Sequence, residues 1–83
     1  MRREYISLQK SVLEKMDRHI ETNLSENKNY KPATGFIEFC EENAVVLREC
    51  TEDLHRQNMT DCEEVQNKIK KTYKNRYFIA INK

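Results

Sequence analysis

Eighty-three residues, 37% of them hydrophobic and 35% charged with a formal net charge of +1, allow one small domain and no second, since domains centre on about 100–150 residues. The mean hydropathy of −0.96, with no apolar run near the ~20 residues of a membrane span, excludes a transmembrane helix. One Gly and one Pro exclude collagen-like, Gly-rich phosphate-loop and turn-rich β-sandwich readings, and the near-zero charge gives no global basic field for nucleic acid.

Residues 2–22 predict an amphipathic helix, because Tyr5, Leu8, Val12, Met16 and Ile20 recur at three- and four-residue spacing and so share one face. Lys10, Glu14, Lys15 and Arg18 fall on other faces. Residues 23–33 are rich in Asn, Ser and Lys and contain Pro32. Such residues favour local side-chain hydrogen bonds, and Lys31 before a proline is pushed towards extended backbone, so a linker is predicted.

A second helix is predicted over about 35–54, starting near Thr34 or Gly35 with Thr34 as N-cap. Phe36, Cys40, Asn43, Leu47, Cys50 and Leu54 make its stripe, widened by Ile37, Phe39, Val45 and Val46, and Glu38, Glu41, Glu42, Glu49, Glu52 and Asp53 make it acidic. A third is predicted over about 61–77. Thr60-Asp61-Cys62-Glu63 matches a capping box with Thr60 as the cap. Cys62, Val65, Ile69, Thr72/Tyr73 and Arg76/Tyr77 continue the period, and Lys68, Lys70, Lys71, Lys74 and Arg76 form a basic patch. His55 to Met59 is then the turn, the second and third helices form an antiparallel hairpin, and Phe78-Ile79-Ala80-Ile81 is a short extended tail that either caps the chain's own core or, the preferred reading, docks on a neighbour. The expected class is all-α: hairpin, N-terminal helix, linker and tail.

Three cysteines stand at 40, 50 and 62. The midpoint of Cys50 and Cys62 is Arg56, inside the proposed turn, so antiparallel helices place the two opposite each other. A bridge there would stabilise by about 3 kcal/mol on the chain-entropy model. The alternative is three small buried thiols in a reducing compartment. Mirroring Cys40 about the same midpoint meets Thr72 and Tyr73, so Cys40 is expected unpaired, either buried or bonded to another chain. Zinc is disfavoured, because no Cys-x2-Cys or His-x3-His spacing is present.

Cys40-x9-Cys50 resembles the first half of the twin-cysteine helical-hairpin proteins of the mitochondrial intermembrane space. Cys50-x11-Cys62 is similar to the pair in PDSW-type accessory subunits of respiratory complex I. The likeness runs over about residues 36–77, with Leu47-Arg48-Glu49-Cys50, Asn58 before Cys62, and Tyr73-Lys74-Asn75-Arg76-Tyr77 as the matching stretches. The fourth cysteine of the twin pattern has no counterpart here. The resemblance implies import without a presequence, oxidation in the intermembrane space, and a structural role at the edge of a respiratory-chain complex in the inner membrane. The lack of an apolar run after Met1-Arg2-Arg3-Glu4 and the early acidic residues agree with the absence of a signal or transit peptide.

No catalytic constellation or cofactor motif is legible. His19 reads as a helix-end residue and His55 as a solvated turn residue, and the carboxylates read as a solvated helix face. The candidate partner-binding residues are Phe78, Ile79 and Ile81 together with Tyr5, Leu8, Val12 and Met16, whether the last four meet the hairpin or a neighbouring subunit. The basic patch suits an acidic helix face or an anionic lipid surface. Two other readings stand beside the accessory subunit: a cytosolic or nuclear helical interaction module, and a small nucleic-acid binder that uses residues 68–77 and is the least favoured.

Overall fold

The helical period of the sequence is realised as four helices rather than three. The computed structural model describes residues 8–27 and 29–82, and these fold into α1 (Lys10–Glu26), α2 (Pro32–Glu42), α3 (Ala44–Arg56) and α4 (Cys62–Ile81). The all-α class is as expected. Tyr5 lies outside the described residues, whereas Leu8 and Gln9, expected within the first helix, are not helical: Gln9 is extended (φ −60°, ψ 146°) and caps a helix that starts at Lys10.

α1 buries Val12, Met16 and Ile20, the i, i+4, i+8 stripe anticipated for it. It runs on to Glu26 because its polar end is bonded within the helix. Asn23 Nδ2 donates to the His19 carbonyl at 2.8 Å and Ser25 Oγ to that of Thr22 at 2.7 Å. The connection then needs only residues 27–31, closed by an Asx turn in which the Asn29 amide donates to Asn27 Oδ1 at 2.9 Å. Lys31 is extended (φ −108°, ψ 142°) as a residue before proline should be, and Pro32 opens α2 at its first position. The start is therefore earlier than Thr34.

The single long helix foreseen over 35–54 is broken at Asn43. That residue leaves helical geometry (φ −123°, ψ 35°), while its amide and its side-chain Nδ2 both donate to the Phe39 carbonyl at 3.0 Å. Its own carbonyl accepts from Leu47 at 2.9 Å. An Asn whose side chain competes for backbone bonds ends one helix and starts the next.

α3 ends in a Schellman motif. The Met59 amide donates to the Leu54 carbonyl and the Asn58 amide to that of His55, at 3.1 and 3.0 Å. Asn58 adopts the left-handed region at φ 73°, which Asn tolerates better than most residues. Met59 packs back on the core that holds Leu54. His55 Nδ1 lies 2.7 Å from the Met59 carbonyl, to which it donates, so His55 closes the turn rather than standing in solvent. Asp61, not Thr60, caps α4, accepting from the amides of Glu63 and Glu64 at 2.8 and 3.4 Å.

α4 then runs unbroken to Ile81, and the extended tail is not found. No Gly or Pro interrupts residues 62–81, and Asn82 ends the helix by donating its Nδ2 to the Phe78 carbonyl at 2.9 Å. The expected hairpin of the second and third helices is not the main packing. α4 packs most extensively on α1, next on α2, and less on α3, with every pair of helices in contact. Arg76 of α4 forks onto Asp17 of α1, with Nε to Oδ1 at 2.9 Å and Nη2 to Oδ2 at 2.6 Å. Both side chains are part-exposed, so the pair contributes about 1 kcal/mol at most.

The core is built from Leu8, Val12, Met16, Ile20, Tyr30, Phe39, Cys50, Leu54, Val65, Ile69 and Tyr73. Gly35 is buried in the first turns of α2 because the Tyr30 ring lies directly on it, and a Cβ there would overlap the ring and its hydroxyl. Ala at this helical position should gain up to about 1 kcal/mol from propensity alone. Tyr30 cannot retreat without breaking its bond to Tyr73. Gly35→Ala is therefore expected to destabilise by about 1–3 kcal/mol through overpacking. Urea unfolding measures it, and a gain in stability would show that Tyr30 is not held in place.

Candidate functional site

Two features stand out from the packed core: a groove open to solvent and a polar network that runs from buried Tyr73 out to exposed Glu42. The bend at Asn43 sets α2 and α3 on either side of a concavity whose base is α4. Phe36 and Ile37 from α2, Leu47 from α3 and Ile69 from α4 give it an apolar lining, with Cys40 between them. Thr51, Gln66 and Asn67 add neutral polar groups. Its volume is about 630 Å³, within the roughly 300–1,000 Å³ of ligand-sized clefts. The charged residues on its walls are Arg48 of α3 and Lys70 of α4, both exposed cations. No carboxylate lines it, although six lie between residues 38 and 53. Burial pushes the Cys40 thiol up from its ordinary pKa, so at neutral pH it is an apolar wall atom and a poor nucleophile.

The network centres on Tyr73, which is fully buried. Its hydroxyl is 2.8 Å from His19 Nδ1 and also bonds the Tyr30 hydroxyl. His19 Nε2 lies 3.4 Å from Glu42 Oε2, and the Tyr77 hydroxyl donates to the Tyr30 carbonyl at 2.9 Å. The proton order that satisfies each group has Nε2–H donating to Glu42, Tyr73 donating to Nδ1, and Tyr30 donating to Tyr73. Rings close around it: Phe39 meets His19 edge-on at 5.4 Å, and Phe36 meets Tyr73 at 5.6 Å. Burial, reinforced by its bond to Tyr30, raises the Tyr73 pKa, and burial raises that of Tyr30. Both phenols stay protonated and serve as hydrogen-bonding struts. His19, in the body of α1 with its side chain 10% exposed, is a core residue rather than a helix-end residue. This network was missed in the sequence because its members are far apart along the chain. The one available signal was that Tyr73 sits on the buried period of its helix.

The other expected site residues divide as follows. Leu8, Val12 and Met16 are buried in the chain's own core, so they are not a surface for another subunit. Phe78, Ile79 and Ile81 are exposed at 51%, 56% and 46%. Lys70, Lys71 and Lys74 are exposed and Lys68 half-buried, but Arg76 is committed to Asp17. Tyr73 is in the core and cannot stack on a base, which removes half of the basic and aromatic interleaving over residues 68–77.

The expected Cys50–Cys62 bridge is not formed, and Cys40, Cys50 and Cys62 are all free thiols. Cys50 is buried on the inner face of α3, whereas Cys62 is exposed in the first turn of α4. The physical reason lies in the turn. It occupies residues 57–61, centred on Met59, while Arg56 is still helical, so mirror symmetry about Arg56 does not hold. The spacing that suggested a twin-cysteine hairpin thus has no cross-link behind it. Among the described residues no group of three or more His, Cys, Asp or Glu side chains could hold a metal ion, and no helix is long and apolar enough to cross a membrane. No protein-family model matches the chain, and no curated protein or solved structure is significantly similar to it.

Two measurements follow from the thiols. A thiol reagent on the native protein should label exposed Cys62 first, half-buried Cys40 more slowly, and Cys50 only on unfolding, with a urea midpoint that does not change on adding reductant. A midpoint that falls with reductant would show a stabilising disulfide. The Cys50 thiol is moreover pushed up from 9.0 to about 11, by burial first and then by the Asp53 carboxylate. The unfolded chain releases this proton near 9 and the folded chain holds it, so stability is full below pH 9 and is lost as pH rises to about 11. Loss through Tyr73 and Tyr30 begins at 10.0. Urea midpoints from about pH 8 to about pH 11 should decline in the wild type and decline less in Cys50→Ala; parallel curves would remove Cys50 as the cause.

Proposed function

We propose that this protein is a non-catalytic helical interaction module whose α4 end docks on another protein. The observation that carries the reading is the last turn of α4. Phe78 and Ile81 lie about 60° apart around the helix axis and Ile79 about 100° to the other side of Phe78, so they cover about 160° of the turn, all roughly half exposed, while Tyr77 and Ala80 complete its circumference against the core. A helix segment that is apolar all round is normally covered, and here it belongs to a chain that is 35% charged. No Lys, Arg or His occupies the last turn, and the charged neighbours Asp17, Glu21 and Arg76 border only its Ile79 and Ala80 side. Ile37 and Val45, exposed at 60% and 68%, are further apolar side chains left outside the core.

The reading as an accessory subunit of a respiratory complex drew its support from a Cys50–Cys62 bridge, and three free thiols do not supply it. The reading as an interaction module needs no bridge, because the core is closed by α1 on α4. A nucleic-acid reading loses one of its two tyrosines, Tyr73, to the core.

A photo-crosslinking residue at position 79, introduced into the full chain in its native cells, should yield a discrete protein adduct. The same residue at exposed Lys71 should not. Phe78→Ser, Ile79→Ser and Ile81→Ser combined should abolish recovery of that partner while leaving the helical circular dichroism unchanged, since these side chains lie outside the core. Equal crosslinking at 71 and 79, or adducts with lipid or nucleic acid alone, would overturn the proposal.

A further inference from the structure

Resting on the interaction-module reading but placed at a different surface, we propose that the groove between α2, α3 and α4 receives an acidic amphipathic helix. Its chemistry argues for that occupant. The lining of Phe36, Ile37, Leu47 and Ile69 offers sites for the i, i+3 or i+4, and i+7 anchors of a helix laid along it.

The charge is what selects the sign of the partner. α2 and α3 together are acidic, yet their carboxylates lie off the groove, and the two charged residues on its walls are cations. Arg48 stands on the α3 wall and Lys70 on α4 at the base, so carboxylates beside an apolar stripe on the α3-facing flank would meet positive partners and no lining carboxylate would oppose them. Like-charge juxtaposition would turn away a basic helix.

The same features argue against a fatty acid. A lone carboxylate headgroup needs convergent polar groups and an enclosed tail cavity. Arg48 and Lys70 approach from separate helices, and Ile37 on the rim is 60% exposed, which leaves the groove open along its length. Cys40, half-buried within the lining, provides an internal reporter of occupancy.

The test uses the isotopically labelled full chain and three probes. The first is a peptide of about 15 residues with Leu at the anchor positions and Glu on the flanks; the second has Lys in place of Glu; the third is dodecanoate. The Glu peptide should shift the amides of Ile37, Leu47 and Ile69 and slow alkylation of Cys40 relative to Cys62. It should bind about tenfold more tightly than the Lys peptide. Arg48→Glu combined with Lys70→Glu, two exposed changes checked by circular dichroism, should reverse that preference. The triple serine variant at 78, 79 and 81 should bind the Glu peptide as the wild type does, so that failure of the groove and failure of the α4 end are separate results. Equal binding of both peptides, dodecanoate shifting the groove residues when the Glu peptide does not, or no shift in the groove with any probe would each overturn the proposal.

Discussion

The Tyr73 hydroxyl has no water to bond, and the rest of the structure is arranged around supplying its partners. It is fully buried on α4, and it is bonded to His19 on α1 and to Tyr30 in the connection between α1 and α2. A buried hydroxyl left without partners costs about 1–3 kcal/mol, against a total stability of roughly 4–12 kcal/mol for a chain of this length. The network therefore decides which helices meet. α1 must bring His19 to α4, and the connection must fold back far enough for Tyr30 to reach the same point. Gly35 follows from this, because the Tyr30 ring can lie there only where α2 has no Cβ. Phe36 and Phe39 then pack against the tyrosine from α2, so one side chain links three helices and a loop.

That arrangement also explains why α3 is the outlying helix. With α1 and α2 committed to Tyr73, α3 contributes chiefly Cys50 and Leu54 to the core and packs less on α4 than the other two do. The Asn43 break lets α3 take its own direction, and the space between α2 and α3 remains as the groove. The groove is thus the place where a small apolar inventory runs short. Phe36 and Leu47, which an unbroken helix would have placed on one continuous stripe, stand as half-buried walls facing each other across α4.

The fold was legible in the sequence where burial follows a simple period. Val12, Met16 and Ile20, then Val65, Ile69 and Tyr73, fall where the spacing puts them, although Cys62, Ile37 and Val45, assigned to helical stripes as well, are exposed; Lys31 is extended as a residue before proline must be. It was illegible where a single polar residue decided the path. Asn43 fits a helical stripe by spacing and breaks it by its side-chain bond. Asn58 fixes the true turn by accepting left-handed geometry, and that moves Cys62 out of register with Cys50. The long-range bonds of His19 and Arg76 carry no local signature, since their partners Tyr73 and Asp17 are more than half the chain away. Of the candidate surfaces, the apolar α4 end was visible as residues although not as helix. The groove could not be read at all, because it exists only through the break.

The distribution of apolar side chains gives these surfaces their meaning. A chain only 37% hydrophobic has few such residues to spend, and burying a side chain of this size contributes about 1.5–3 kcal/mol. Leaving Ile37, Val45, Phe78, Ile79 and Ile81 outside therefore forgoes stabilisation comparable to the whole margin of a small domain. Scattered exposed hydrophobes are ordinary on proteins with apolar residues in excess, but this chain has no excess. Polar substitutes at those five positions would cost the isolated fold little, since none of them belongs to the core. An intermolecular contact gives such side chains a place to be buried, and it would return to the assembly the apolar burial that the monomer leaves unused.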